Sequence, residues 1–129
     1  KLSFIPVKPS AWIVTGAVFG FLAVALGAFG AHGLKSKVTV DTLSSFETAA
    51  RYQIYHALAL ILVGVLANTV SSPLLEWSGR LFATGVVLFS GSIYLMVFTG
   101  VTSLGVVTPF GGLCFLAGWA ALAVAAYRG

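Results

Sequence analysis

The polar side chains able to do chemistry are few, and several of them lie between Ser45 and Ala59. This stretch contains Glu47, Arg51, the one glutamine (Gln53) and one of the two histidines (His56). On a helical wheel Gln53 and His56 share one face, while Glu47 and Arg51 lie on roughly the opposite face. The pattern predicts two separate polar features on one helix.

The face with Gln53 and His56 has two interpretations that both remain open. The second histidine, His32, ends the preceding apolar segment on the same expected side of the membrane, about one or two turns shallower than His56. In the first interpretation, His32, Gln53 and His56 are hydrogen-bonded packing elements, with Ser90, Ser92 and Tyr94 as further candidate partners of His56, because a buried polar group needs a partner. In the second, they form a site for a quinone, lipid or haem. The unequal depth of the histidines argues against haem ligation, and a metal would lack further ligands.

Glu47 and Arg51 are spaced four residues apart with the acid first, which is the favourable order for a helical ion pair. We expect an interfacial pair that contributes a few tenths of a kcal/mol.

No pattern indicates catalysis. Ser90-Gly91-Ser92 has no His-Asp partner pattern, and Gly111-Gly112 is not a phosphate-binding loop. Cys114 is the only cysteine, so an intrachain disulfide is excluded. We therefore predict a protein that is not an enzyme and has no cofactor and no metal.

The composition is that of a membrane protein. Hydrophobic residues make up 59% of the 129 residues and charged residues only 8%, against about 45–50% and 25% in soluble domains. The net charge of +4 reflects basic residues near segment ends, where lipid headgroups would meet them. Because there is no basic patch, nucleic-acid binding is excluded, and the lipid bilayer is the expected partner.

Four apolar segments predict a single all-α membrane domain, an antiparallel bundle of four transmembrane helices. The expected spans are residues 11–31, 46–67, 79–99 and 109–127, each close to the roughly 20 residues that cross a bilayer core. We expect Asp41 or Ser44 to cap the second helix and residues 68–76 to form a turn.

Small residues recur at alternating four- and three-residue steps along the first and fourth spans. Such stripes allow helix backbones to approach closely in lipid. The predicted packing positions are Gly16, Gly20, Gly27, Gly30, Gly111, Gly118 and Ala121.

An even number of spans places both termini on one side of the membrane. Lys1, Lys8, Arg80 and Arg128 fall on that side, and Lys35, Lys37 and Arg51 on the other. The count favours both termini inside by a small margin.

Four ordered sequence blocks resemble a known family. The blocks are residues 27–34 (GAFGAHGL), 46–60 (FETAARYQIYHALAL), 88–94 (LFSGSIY) and 108–113 (TPFGGL). They are similar to the domain of unknown function 423 family, YgdD/YwdK-like small membrane proteins whose eukaryotic relatives include transmembrane protein 256. The resemblance implies a four-span protein of the bacterial inner membrane or the mitochondrial inner membrane, and it implies no activity.

Small size and short connections favour a non-catalytic accessory or scaffold subunit. Such a chain would pack against other membrane-protein subunits or against itself, within a respiratory or other energy-converting complex. The alternative is a membrane protein that binds a small ligand at the His32/Gln53/His56 face.

Overall fold

The computed structural model describes residues 7–129 as four long helices and contains no strand in that range. We name them α1 (Pro9–Leu34), α2 (Val40–Leu66), α3 (Pro73–Thr99) and α4 (Thr108–Arg128), the last preceded by a 3₁₀ turn at Thr102–Val106. All four have the length and apolar composition to cross a bilayer. The predicted all-α membrane bundle is confirmed.

Helices α2 and α3 begin well before the expected spans. Helix α2 is capped by Thr39, whose side chain accepts a hydrogen bond from the backbone N–H of Thr42 (3.1 Å), so the caps expected at Asp41 or Ser44 were wrong. Helix α3 begins at Pro73 behind the cap residue Ser72. Proline suits the first helical turn, where its missing N–H costs no hydrogen bond. The turn expected over residues 68–76 is therefore shorter, and Glu76 belongs to α3.

Helices α1 and α2 form one antiparallel hairpin with glycines at the contact. A methyl group added at Gly16 would lie 2.6 Å from the carbonyl oxygen of Ala57, and one at Gly30 would lie 2.9 Å from the Phe46 ring. The same addition at Gly20 or Gly27 would meet only ordinary contacts, at 3.7 Å and 3.9 Å. Among the predicted packing glycines of α1, Gly16 and Gly30 thus make the tightest contacts.

Helices α3 and α4 form the second hairpin, in which glycines of α4 pack against phenylalanines of α3. Gly118 lies against the ring of Phe82, and Gly111 lies against the backbone of Phe89. Ala121, the remaining predicted packing position, is half-buried. Phe89 belongs to a π-helical segment of α3, Val86–Gly91, where the helix turn is one residue wider than in an α-helix.

Helix α2 is the central element of the bundle. Half of its most apolar window is buried, against 17% for α1. Its contacts with both α1 and α3 join the two hairpins. Side chains that connect the four helices are therefore expected on α2.

The hairpins also meet at the end that carries the termini. The Trp12 ring of α1 lies where a side chain at Gly79 of α3 would be. The Glu76 carboxylate accepts a hydrogen bond from the backbone N–H of Val7 (2.8 Å) and lies 3.9 Å from the Arg80 guanidinium. A buried carboxylate thus holds the chain in front of α1.

Candidate functional site

The polar residues Gln53 and His56 of α2 lie inside the bundle, with 4% and 3% of their surfaces exposed. His56 is ten residues from the end of α2 at Leu66, which corresponds to about 15 Å along the helix axis. That distance is half the thickness of a bilayer core. The site therefore lies deep within the membrane-spanning length of α2.

Aromatic rings surround His56. Its imidazole stacks on Phe115 of α4, with ring centroids 3.6 Å apart and an angle of 8° between the planes. The ring of Phe82 of α3 lies 5.5 Å away. These contacts bury the imidazole between three helices.

Both ring nitrogens of His56 are hydrogen-bonded. The indole N–H of Trp119 donates to Nε2 (3.0 Å), and Nδ1 lies 2.7 Å from the carbonyl oxygen of Tyr52, one turn earlier in α2. An indole nitrogen can only donate, so Nε2 must accept, and the proton must be on Nδ1. The geometry therefore fixes a neutral imidazole with one tautomer.

One turn before His56 on α2, Gln53 connects three helices. Its amide nitrogen donates to the Phe19 carbonyl oxygen of α1 (2.9 Å), and its amide oxygen accepts from the Tyr94 hydroxyl of α3 (2.7 Å). A further turn away, the buried hydroxyl of Ser90 donates to the carbonyl oxygen of Ala49 (2.7 Å). Successive turns of α2 thus bond to α3, to α1 and α3 together, and to α4.

A further polar contact joins α3 to the start of α4. The hydroxyls of Ser92 and Thr108 lie 2.5 Å apart, and Ser92 also donates to the Phe89 carbonyl oxygen (3.0 Å). Since Ser92 has only one proton, the Thr108 hydroxyl donates to it.

The arrangement favours a structural role for Gln53 and His56 over ligand binding. A metal or haem iron at His56 would have to displace Trp119 or the Tyr52 carbonyl, and a quinone at Gln53 would have to displace Phe19 or Tyr94. Each displacement leaves a buried polar group without a partner, which costs about 1–3 kcal/mol. Each nitrogen and oxygen of these two side chains already has a hydrogen-bond partner within the chain.

The structure brings Gln53 and His56 together but places His32 elsewhere. His32 is exposed in the π-helical turn that ends α1. His56 lies next to Ala57, which packs against Gly16, and Gly16 is sixteen residues, or about 24 Å, from His32 along α1. The expectation that His56 lies only one or two turns deeper than His32 was wrong, because α2 already begins at Val40 and carries His56 deeper.

Glu47 and Arg51 are both exposed, and their charged groups are not paired. Within residues 7–129 the ion pair closer than 4 Å joins Glu76 and Arg80. An exposed pair gains little over solvation of each charge, so close contact is not enforced. The predicted Glu47–Arg51 ion pair is absent.

Two participants were missed in the sequence. Trp119 is the partner of His56, and its signal was its position in the middle of a span, since membrane tryptophans concentrate at the interfaces. Glu76 was assigned to a turn, although an acidic residue three positions after a helix-starting proline is typical of a first helical turn.

Removing the Gln53 amide is expected to loosen the contact among α1, α2 and α3. A Gln53→Leu chain loses both hydrogen bonds and should unfold with a free energy lower by about 1–2 kcal/mol, the range found for interhelical hydrogen bonds in membranes. A Tyr94→Phe chain loses one and should fall by about half as much. Denaturant titration in detergent micelles measures both, and wild-type stability in Gln53→Leu would contradict the connecting role.

Comparisons with known proteins give one consistent result. The profile of the family described as Protein of unknown function (DUF423) matches residues 26–112. The chain is 44% identical over 117 residues to a UPF0382 membrane protein of Staphylococcus aureus (strain bovine RF122 / ET3-1), covering 91% of this chain and 95% of that protein. It is 42% identical over 118 residues to the UPF0382 membrane protein YwdK of Bacillus subtilis (strain 168), covering 91% and 96%. No solved structure matches significantly.

Proposed function

We propose a role as a non-catalytic accessory subunit for this chain, which belongs to the membrane-protein family described as Protein of unknown function (DUF423). In this role it packs against other membrane proteins. Membership confirms the family resemblance of the sequence. It carries no reaction with it, so the proposed role depends on the geometry of the chain itself.

The supporting observation is that the polar interior is occupied by the chain's own atoms. Gln53 and His56 use both ends of their side chains within the bundle, and Ser90 and Tyr94 donate to α2. A catalytic site needs a group able to reach a substrate. These groups are committed to joining helices, which is the task of a scaffold.

The connections are too short to recruit partners outside the membrane. Five residues join α1 to α2, and six join α2 to α3. Partners must therefore meet the chain sideways, through the outward faces of its helices. Respiratory and other energy-converting assemblies contain many such membrane-embedded contacts, and they are the class of complex that we expect the chain to join.

The outer face of α4 is the surface best shaped for a partner helix. Leu113 and Leu116 are 60% and 69% exposed, and Val124 projects from the same face. Between them lie Ala117 and Ala120, which are also exposed. Small residues flanked by large ones allow another helix to approach closely, and close packing drives helix association in lipid.

Enlarging Ala120 is expected to break this contact. An Ala120→Phe chain places a ring where a partner backbone would lie, and overpacking of 1–3 kcal/mol should reduce the co-purified partner about tenfold. The measurement is quantitative mass spectrometry of the tagged chain isolated in a mild detergent.

The control is Val18→Phe, which introduces the same ring at an exposed position on α1 outside this face. It should leave partner recovery unchanged. Equal recovery with wild type and Ala120→Phe would exclude α4 as the partner surface.

A further inference from the structure

A groove runs along the outside of the hairpin formed by α1 and α2. Its floor is made by Gly16, Gly20 and Ala57, and its walls include Phe21, Val24 and Leu58. It has a volume of about 490 Å³ and is lined almost entirely by apolar atoms. No other helix of the described chain covers it.

The length of the groove suits a flexible hydrocarbon chain. The α1 residues along the groove run from Gly16 to Ala25, which spans about 14 Å. A single hydrocarbon chain of a lipid can lie along an apolar groove of this length.

The α2 wall of the groove leads directly to an arginine. Leu58 and Ile54 line the groove, and Arg51 precedes them by seven and three residues, which places all three on one helix face. Arg51 lies beyond the apolar lining of the groove, toward the start of α2 and about 10 Å from Leu58 along the helix axis.

The Arg51 guanidinium is available to a ligand. Arg51 is exposed, and among residues 7–129 it has neither a hydrogen-bond nor an ion-pair partner. Arg51 is fifteen residues from the end of α2, or about 22 Å. Its long side chain can therefore extend to the headgroup layer at the start of α2. A charged group directly above an apolar groove matches the layout of a phospholipid.

We propose that this groove binds one acyl chain of an anionic phospholipid whose phosphate is held by Arg51. A guanidinium can bond two phosphate oxygens at once, which is the geometry that favours arginine at phosphate sites. Lys35 and Lys37, in the exposed connection on the same side, add positive charge. Glu47 lies one turn from Arg51 on the same face, so the proposed selectivity depends on Arg51 binding phosphate while Glu47 remains solvated.

Native mass spectrometry of the isolated chain tests the proposal, with dioleoyl phosphatidylglycerol and dioleoyl phosphatidylcholine as probes that share the same acyl chains. Wild type should retain phosphatidylglycerol about fivefold better, the factor that one basic group contributes near an anionic headgroup. Arg51→Gln should bring the two lipids within twofold of each other. Arg128→Gln, which removes a positive charge at the opposite end of the bundle, should keep the preference.

The groove is tested separately with bulky residues at its exposed rim. Ala25→Phe and Ala17→Phe should each reduce retention of both lipids about tenfold, while Ala120→Phe on α4 should not. Each variant must elute from gel filtration as wild type does, and Ala17→Phe decides the outcome if Ala25→Phe aggregates. Equal retention of the two lipids by wild type, an unchanged preference in Arg51→Gln, or full retention in the rim variants would overturn the proposal. Because the chain is isolated, the outcome is independent of any protein partner.

Discussion

A Gly111→Leu chain is expected to lose its folded bundle under conditions in which a Gly112→Leu chain keeps it. A side chain at Gly111 would collide with the backbone nitrogen and Cα of Phe89 on the facing helix. Backbone atoms cannot move aside without separating α3 from α4, so the expected cost is about 3 kcal/mol or more. A side chain at the neighbouring Gly112 meets no atom within 4 Å, and its cost should stay within about 0.5 kcal/mol.

The measurement is the denaturant concentration at which each variant unfolds in the same micelles, followed by tryptophan fluorescence. Because the two changes are identical and adjacent in sequence, differences in hydrophobicity and expression cancel. Similar midpoints for the two variants would show that α3 and α4 do not meet at Phe89.

A His56→Ala chain is expected to be less stable than wild type by about 2–4 kcal/mol. The change removes the stack on Phe115, leaves a cavity and deprives the Trp119 indole of its acceptor. His32→Ala is the matched control, because His32 is exposed and makes no hydrogen bond within residues 7–129. Its stability should equal that of wild type.

The same variant separates the two interpretations of the polar face. If His56 connects helices, His56→Ala loses stability and partner assembly, and no small molecule leaves with it. If His56 holds a ligand, wild type carries an absorption band or a co-purifying molecule that His56→Ala lacks while its stability is unchanged. The second outcome would replace the connecting role with a binding site.

Fold class could be read from the sequence because composition and segment length leave little choice. A chain so rich in apolar residues has to be solvated by lipid, and in lipid its backbone must satisfy its hydrogen bonds within helices. The inward position of His56 also followed, because an unpartnered imidazole facing lipid would be costly.

Helix starts and interhelical pairs could not be read in the same way. Residues 40–45 are polar enough to resemble a loop, yet they form the first turns of α2 behind the cap residue Thr39. His56 is therefore further from the start of α2 than the sequence suggested. Which side chains pair between two helices depends on which residues of the antiparallel hairpin lie level with each other. The contacts of Gly30 with Phe46 and of Gly20 with Ala57 show that His32 lies level with the beginning of α2, far from His56.

The π-helical segment at Val86–Gly91 was equally invisible in the sequence. It contains both Phe89, which packs on Gly111, and Ser90, which donates to Ala49. Apolar periodicity distinguishes helix from strand, but it does not reveal one extra residue in a single turn.

The most direct test of the accessory role is isolation of the wild-type tagged chain from its native membrane in a mild detergent, followed by mass spectrometry of the intact particle. We predict a particle that contains at least one other membrane protein in fixed stoichiometry and carries no chromophore. A bare chain, or copies of this chain alone, at every detergent concentration would contradict the account.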